Sequence, residues 1–237
     1  MMFSKCVYEN CFVVYYNRIW YSAFDEERDR PGLGYIRGDH WSIAIDAGHS
    51  ATHVEEFYKA LTDEKLPLPA LTVITHWHWD HAFGMHRVNG ICIANSKTNK
   101  HLREYAGKIA SEGEETFLSL DPSIRKEYEG DKPIIVVPAD IEFDRELHLN
   151  PGGISVHLFT SVSPHTDDTT LVYIPEEKFM FVGDCISGVF PTWKRDSRKT
   201  KELITTIKKT DAECCLGGHW PLFRKQEMLD AMKEDLI

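Results

Sequence analysis

Short runs of β-branched and aromatic residues, each bounded by turn formers, fill the early chain: Cys11 to Tyr16, Ile19 to Ser22, Tyr35 to Arg37, and Ser42 to Ile45 ahead of Asp46-Ala47-Gly48. Such runs predict antiparallel strands, because branched side chains pack well on a pleated surface. The period then changes. From Ala51 to Leu61 the apolar residues Val54, Phe57, Tyr58 and Leu61 fall at helical spacing, with Ser50 as N-cap. After the break at Pro67-Leu68-Pro69 a buried strand is expected over Leu71 to Thr75, another over Ile91 to Ala94, and a polar helix from about Ser96 to Lys108. The Glu-rich segment from about Ser111 to Gly130, with Asp121-Pro122 as a start signal, predicts helices flanking the core. Further strands are expected at Ile134 to Val137, Ile154 to Phe159, Thr170 to Ile174 and Phe179 to Val182, the last two joined by the turn Pro175 to Lys178. The tail predicts a helix (about Lys199 to Lys208), a strand (Cys214 to Leu216) and a helix (Leu222 to Leu236, with Phe223, Leu229, Met232 and Leu236 on one stripe).

Strands followed by helices in both halves imply an α/β fold with layered sheets. No Pro/Gly/Ser-rich linker and no internal repeat divides the 237 residues, so residues 1–237 are expected to form a single domain. The composition, 42% hydrophobic and 27% charged, excludes disordered and collagen-like classes. A formal charge of −10 repels phosphate backbones and anionic head groups, which argues against a nucleic-acid or membrane partner. No apolar run approaches the roughly 18 residues of a membrane helix. Lys5, Glu9 and Asn10 interrupt what would be the apolar core of a signal peptide. The six cysteines (Cys6, Cys11, Cys92, Cys185, Cys214, Cys215) have neither C-x-x-C spacing nor scaffold density, and are expected to be reduced thiols of a cytoplasmic protein.

Twelve histidines remain to be explained. His40, His49, His53, His101, His148 and His157 stand alone and are assigned ordinary packing or solvated roles, while His86 lies close enough to the next motif to be a candidate for a pocket wall. The exception is His76-Trp77-His78-Trp79-Asp80-His81, directly after the strand Leu71 to Thr75. Neutral imidazole and carboxylate are the donors a borderline divalent ion such as zinc prefers. In an extended loop His76 and His78 project to one side, whereas Asp80 and His81 lie a turn further on, so the cluster points to two neighbouring ions.

The pattern H-x-H-x-D-H after a strand resembles the signature of the metallo-β-lactamase superfamily, and the family's other motifs follow in order. Asp46 in Ile45-Asp46-Ala47-Gly48 matches its early Asp-x-Gly, His165 in Pro164-His165-Thr166-Asp167-Asp168 its third motif, Asp184 in Val182-Gly183-Asp184 its bridging acid, and His219 in Gly217-Gly218-His219 its last ligand. The resemblance covers nearly the whole chain. It implies a four-layer αββα sandwich of two mixed sheets with helices outside, and two divalent metal ions, zinc first, with iron or manganese as alternatives. His76, His78 and His165 would hold one ion, Asp80, His81 and His219 the other, and Asp184 would bridge them. A hydroxide between the ions would attack an acyl or phosphoryl centre, with Asp80 as the catalytic residue that orients it and Asp46 supporting the metal loop from behind. Asp168 is assigned to bracing the loop and Cys185 to pointing away from the metals.

Within that family the resemblance favours a hydrolase of a small ester, thioester, lactone or amide. The zinc β-lactamases usually carry cysteine where Asp184 stands, and a lysine three residues later that pairs with the substrate carboxylate, where this chain has Ser187. Lys194 and Arg195 are the candidates to replace it, should the loop after Pro191 fold back over the pocket. About eighteen residues follow His219, room for one helix rather than the helical region of hydroxyacylglutathione hydrolases. The alternatives are a genuine β-lactamase, a non-haem iron oxidoreductase of the persulfide-dioxygenase type, and a binding protein with a structural metal. Pocket walls are expected from Arg30 to Gly34, the Glu-rich segment and Phe190 to Asp196, with Trp77, Trp79, Trp193 and Trp220 as an aromatic rim.

Overall fold

The computed structural model describes residues 12–15, 18–130 and 132–234. Its first sheet runs in the order β1 (Phe12–Tyr15), β2 (Ile19–Ser22), β3 (Gly34–Arg37), β4 (Ser42–Ile45), β5 (Leu71–Val73), β6 (Ile91–Asn95) and β7 (Ile141–Phe143). Neighbours from β1 to β4 are antiparallel and those from β4 to β7 parallel. Parallel neighbours require crossovers, and these are supplied by α1 (Ala51–Asp63), by α2 (Trp79–Ala82) with the 3₁₀ turn Phe83–Arg87, and by α3 (Ser96–Glu112), α4 (Glu114–Leu118) and α5 (Pro122–Glu127). The second sheet has the spatial order β13, β12, β11, β10, β9, β8: β8 (Glu146–Leu149), β9 (Val156–Thr160), β10 (Thr170–Ile174), β11 (Phe179–Gly183), β12 (Cys214–Gly217) and β13 (Phe223–Arg224), with β11 and β12 parallel. Its helices are α6 (Ser197–Lys208) and α7 (Lys225–Glu234).

The period of two along the strands builds the layers. On β10 and β11, Val172, Ile174, Phe179 and Phe181 face Ile36, Ile43, Ile45 and Val73 of the first sheet, whereas Leu171, Tyr173, Met180 and Val182 face Leu203 and Ile207 of α6 and Met228, Leu229 and Met232 of α7. Strands buried on both faces read as unbroken apolar runs, and each side chain fully buried this way is worth about 1.5–3 kcal/mol. The outer face of the first sheet is covered by α1 through Phe57 and Leu61, and by α3 to α5 through Leu102, Phe117 and Ile124. Two mixed sheets between helical layers are therefore the observed fold, as the resemblance implies. Among the described residues no helix is long and apolar enough to cross a membrane. Cys92, Cys185, Cys214 and Cys215 are buried, while Cys6, Cys11 and Tyr16 lie outside the described residues.

Three element expectations need correction. Residues Ile134 to Val137 form no strand; Pro133 and Pro138 bracket them, and proline removes an amide donor and restricts the residue before it. The edge of the first sheet is taken instead by β7, and β8 pairs with β9; both are short edge strands in which apolar residues (Ile141 and Phe143, Leu147 and Leu149) alternate with polar ones. The last helix begins at Lys225, because Phe223 and Arg224 pair as a strand with Cys215 and Cys214; Leu236 is outside the described residues.

One buried network positions the loops that later form the cleft. The Arg30 guanidinium is fully enclosed and donates to Glu127 of α5 (2.7 and 2.9 Å) and to Glu56 of α1 (2.6 Å). Ser50, the N-cap of α1, accepts from the His53 amide at 3.3 Å and donates to Glu127. Ser50→Ala removes a cap and a donor to a buried carboxylate at once. We expect it to cost about 1–3 kcal/mol, measurable as a lower urea midpoint at unchanged slope.

Candidate metal centre

The site is assembled at the ends of strands. β5 stops at Val73, and the chain passes through Ile74 and Thr75 into His76 to His78 before α2 begins. Asp46, just beyond β4, holds this turn: its carboxylate accepts from the Thr75 amide (2.7 Å), the Thr75 hydroxyl (2.9 Å) and His81 Nδ1 (2.7 Å). These bonds offset the cost of its left-handed backbone (φ 64°). His165 is set by Ser163, whose hydroxyl accepts the His165 amide (3.0 Å) and donates to the Cys185 carbonyl (2.9 Å). Asp184 follows β11, and His219 follows β12. Gly218 is required beside them, since a Cβ there would meet Asp184 Oδ1 and His81 Cε1 at 2.6 Å each.

Two groups of donors result. Ring nitrogens of His76, His78 and His165 converge, and so do atoms of Asp80, His81, Asp184 and His219, each group within 4.8 Å. His76 Nε2 lies 3.2 Å and His165 Nε2 2.9 Å from His78 Nδ1. Their outer nitrogens assign the tautomers: His165 Nδ1–H donates to the Gly188 carbonyl (2.8 Å), and His76 Nδ1–H faces the Thr75 hydroxyl (3.1 Å), whose own proton goes to Asp46. Two lone pairs therefore point at one spot, an arrangement that suits a cation. His81 Nδ1–H is likewise committed to Asp46, which turns Nε2 toward Asp80 (3.2 Å) and Asp184 (3.5 Å). His81 Nε2 and Asp184 Oδ1 are buried without a hydrogen-bond partner. Orphaned atoms of this kind are rare in native interiors, and here they are complementary to a metal ion. The residues present thus fit divalent ions.

Protonation follows the same division. Burial and the neighbouring imidazoles hold His76 well below the usual range and push His78 down to about 3. Burial also opposes charge on His81 and His219, but the carboxylates prevail: Asp80, Asp46 and Asp184 lift His81 well above the imidazole range, and Asp184 and Asp80 bring His219 up to about 9. In return, His81 and His219 hold Asp80 and Asp184 low against their own burial. The field that attracts protons to the second group is the one that would attract a dication.

Both groups open into a cleft of about 180 Å³. Its walls include Asp29, Trp79, Asp121, Ser187, Phe190 and Trp193. Asp121 and Ser123 lie in the Glu-rich segment from which a wall is expected, whereas Asp29 carries no motif in the sequence; the Arg30–Glu127 clamp ties its loop to α5. Burial, with Asp80 nearby, pushes the Asp29 carboxyl up to about 6. Arg30 itself is not a wall residue, and neither Lys194 nor Arg195 lines the cleft. Trp77 packs on His101 and Tyr105, and Trp220 lies against Gly217, so the aromatic rim consists of Trp79 and Trp193 with Phe190. His86 bonds its own turn through the Phe83 carbonyl (2.8 Å) and does not face the cleft. Asp168 accepts from the Trp77 amide and the Thr98 hydroxyl, both at 2.8 Å, bracing the loop. Cys185 sits in the core beneath α6 and α7.

An αββα sandwich with convergent histidines and aspartates at one edge defines a class of metal-dependent proteins. The family model described as "Metallo-beta-lactamase superfamily" matches residues 34–219, from β3 to the last histidine. The chain belongs to that superfamily. Among solved structures, a metallo-β-lactamase from Pontibacter korlensis superposes with a TM-score of 0.69 at 18% identity, covering 95% of this chain and 97% of that one. The stereoselective inverting sec-alkylsulfatase Pisa1 from Pseudomonas sp. superposes with a TM-score of 0.71 at 12% identity, covering 95% of this chain and 40% of that one. At such identities the likeness concerns the fold alone. A curated relative, the beta-lactamase-like protein 2 homolog of Caenorhabditis elegans, is 26% identical over 153 residues, which are 65% of this chain and 43% of that protein.

Proposed function

We propose that the protein is a hydrolase dependent on two divalent ions, acting on the ester, thioester, lactone or amide carbonyl of a small substrate. The observation that carries this reading is the pair of donor groups, with orphaned His81 Nε2 and Asp184 Oδ1, opening on one cleft. His76, His78 and His165 would hold one ion and Asp80, His81 and His219 the other, with Asp184 between them. When bound, such ions supply Lewis acidity and lower the pKa of water toward neutrality, and the imidazole-carboxylate set suits zinc. Asp46, Thr75 and the Gly188 carbonyl orient the imidazoles. Asp80, kept ionised by His81 and His219, is the carboxylate that would orient the attacking water while serving as a ligand, and Trp79, Phe190 and Trp193 shield the cleft from bulk water. The buried thiols of Cys92, Cys185 and Cys215 fit a reducing compartment such as the cytoplasm.

Efficient β-lactam turnover is not expected. Among the described residues the antibiotic carboxylate would find no lysine or arginine on the cleft wall, and a charged hydrogen bond of about 1.5–3 kcal/mol is worth roughly ten- to a hundredfold in rate. Metal analysis of purified protein, with rates on a thioester, a lactone, a penicillin and a cephalosporin, tests the proposal. The expected result is close to two ions per chain, and turnover of thioester or lactone well above that of either antibiotic. A single iron per chain with no hydrolysis and oxygen uptake on a persulfide would replace it with the oxidoreductase reading.

A further inference from the structure

The wall of the cleft has a chemistry of its own, apart from the metal ligands. Trp79, Phe190 and Trp193 form a continuous aromatic surface, with ring centroids 5.0 Å apart at 80° for Trp79 and Phe190 and 5.7 Å apart at 83° for Phe190 and Trp193. Two carboxylates that belong to neither donor group, Asp29 and Asp121, line the same cleft. Asp29 is held rigidly. Its backbone is left-handed at φ 51°, its carbonyl and that of Arg28 each lie 3.2 Å from His49 Nδ1, and its Oδ2 accepts from Trp79 Nε1 at 2.8 Å. Asp121 is fixed as the N-cap of α5 through the Ser123 amide at 2.9 Å. Among the described residues lining the cleft there is no lysine or arginine.

Aromatic rings beside carboxylates, with no competing side-chain cation, are what recognises a substituted ammonium group. The rings offer their negative faces to a cation and the carboxylates add charge that a neutral group cannot use. We propose that the substrate carries a positively charged nitrogen, seated on Trp79, Phe190 and Trp193 and paired with Asp29, while its acyl group faces the donor groups. The inference rests on the hydrolase reading for the acyl end, and on the wall alone for the cationic end.

The experiment uses the metal-loaded protein and matched probes. Binding of choline and of its neutral isostere 3,3-dimethylbutan-1-ol is followed by calorimetry and by the fluorescence of the wall tryptophans. Hydrolysis of acetylthiocholine is compared with that of the S-(3,3-dimethylbutyl) thioacetate. The expected result is a preference of about tenfold or more for the cation in both assays, reduced with ionic strength. Asp29→Asn, which retains an oxygen for Trp79, should cut the cation-to-neutral ratio by about tenfold, and Asp121→Asn, which retains the cap, should lower it to a smaller degree. Equal binding of the two probes, or a ratio untouched by both substitutions, overturns the inference. Hydrolysis of both thioesters without preference would reject the cation site and leave the hydrolase reading standing. Selective choline binding without thioester, ester, lactone or amide hydrolysis would reject the hydrolase reading and leave the cation site standing.

Discussion

Asp184→Ala is expected to leave purified protein with about one metal ion per chain and to lower kcat/KM on the best thioester or lactone by at least about a hundredfold. Removing a group that merely orients a ligand typically costs 10–100-fold in metal affinity or activity, and Asp184 stands closer to the reaction than that. Its carboxylate lies 3.5 Å from His81 Nε2 and 3.6 Å from His219 Nε2, and its Oδ1 is buried with no other partner. The three imidazoles of His76, His78 and His165 do not depend on it, so the remaining ion should reside there. Elemental analysis and stopped-flow rates on matched preparations check the result. Two ions retained with an unchanged rate would remove Asp184 from the centre.

The second large effect is a pH dependence that separates the two donor groups. His219 has its pKa raised to about 9 by Asp184 and Asp80 against its burial. Below pH 9 the metal-free form is therefore protonated there, and a metal must displace that proton. The sign is that affinity at this group falls as pH falls. For a single proton at pKa 9 the apparent affinity drops roughly 50-fold between pH 9 and pH 7, and His81, also raised, steepens the slope. His76 and His78 are neutral at pH 7, because burial holds their pKa values low, so they add no proton competition in this range. Zinc titrations of the metal-free protein at pH 6, 7, 8 and 9 should show one steeply and one weakly pH-dependent site, and His219→Ala should flatten the steep one. Identical slopes for both ions would contradict the field described here.

The elements with an unbroken apolar run or a helical stripe were legible in the sequence. Ile19 to Ser22, Ser42 to Ile45 and Thr170 to Ile174 form strands with those bounds, and Ser50 caps α1. These features depend on residues a few positions apart, whose side-chain period dictates which face is buried. The six-residue cluster His76 to His81, and the ordered placing of Asp46, His165, Asp184 and His219, were legible for the same reason: candidate donors at strand ends are carried by local motifs. The strands β7 and β8 were not, because the alternation of Ile141 and Phe143, and of Leu147 and Leu149, with polar residues runs over only three and four residues, too short to stand out from a loop. The apolar run Ile134 to Val137 misled because the flanking prolines outweigh β-propensity there.

What the sequence by itself determined is the layered α/β architecture and the seven residues that gather at one edge of it. The tertiary structure alone decided that Asp29 joins the walls expected from the Glu-rich segment and the turn after Val189. Asp29 and Asp121 are far apart along the chain, and they meet at the cleft because Arg30 closes a buried ion pair with Glu127. It also decided the tautomers, which depend on a carbonyl at Gly188 and a hydroxyl at Thr75 rather than on any motif. It excluded Lys194 and Arg195 from the cleft, and required Gly218, since Asp184 and His81 occupy the space a side chain would need. Local period can specify an element and its candidate donors, but the distance between two loops is set only when the layers pack.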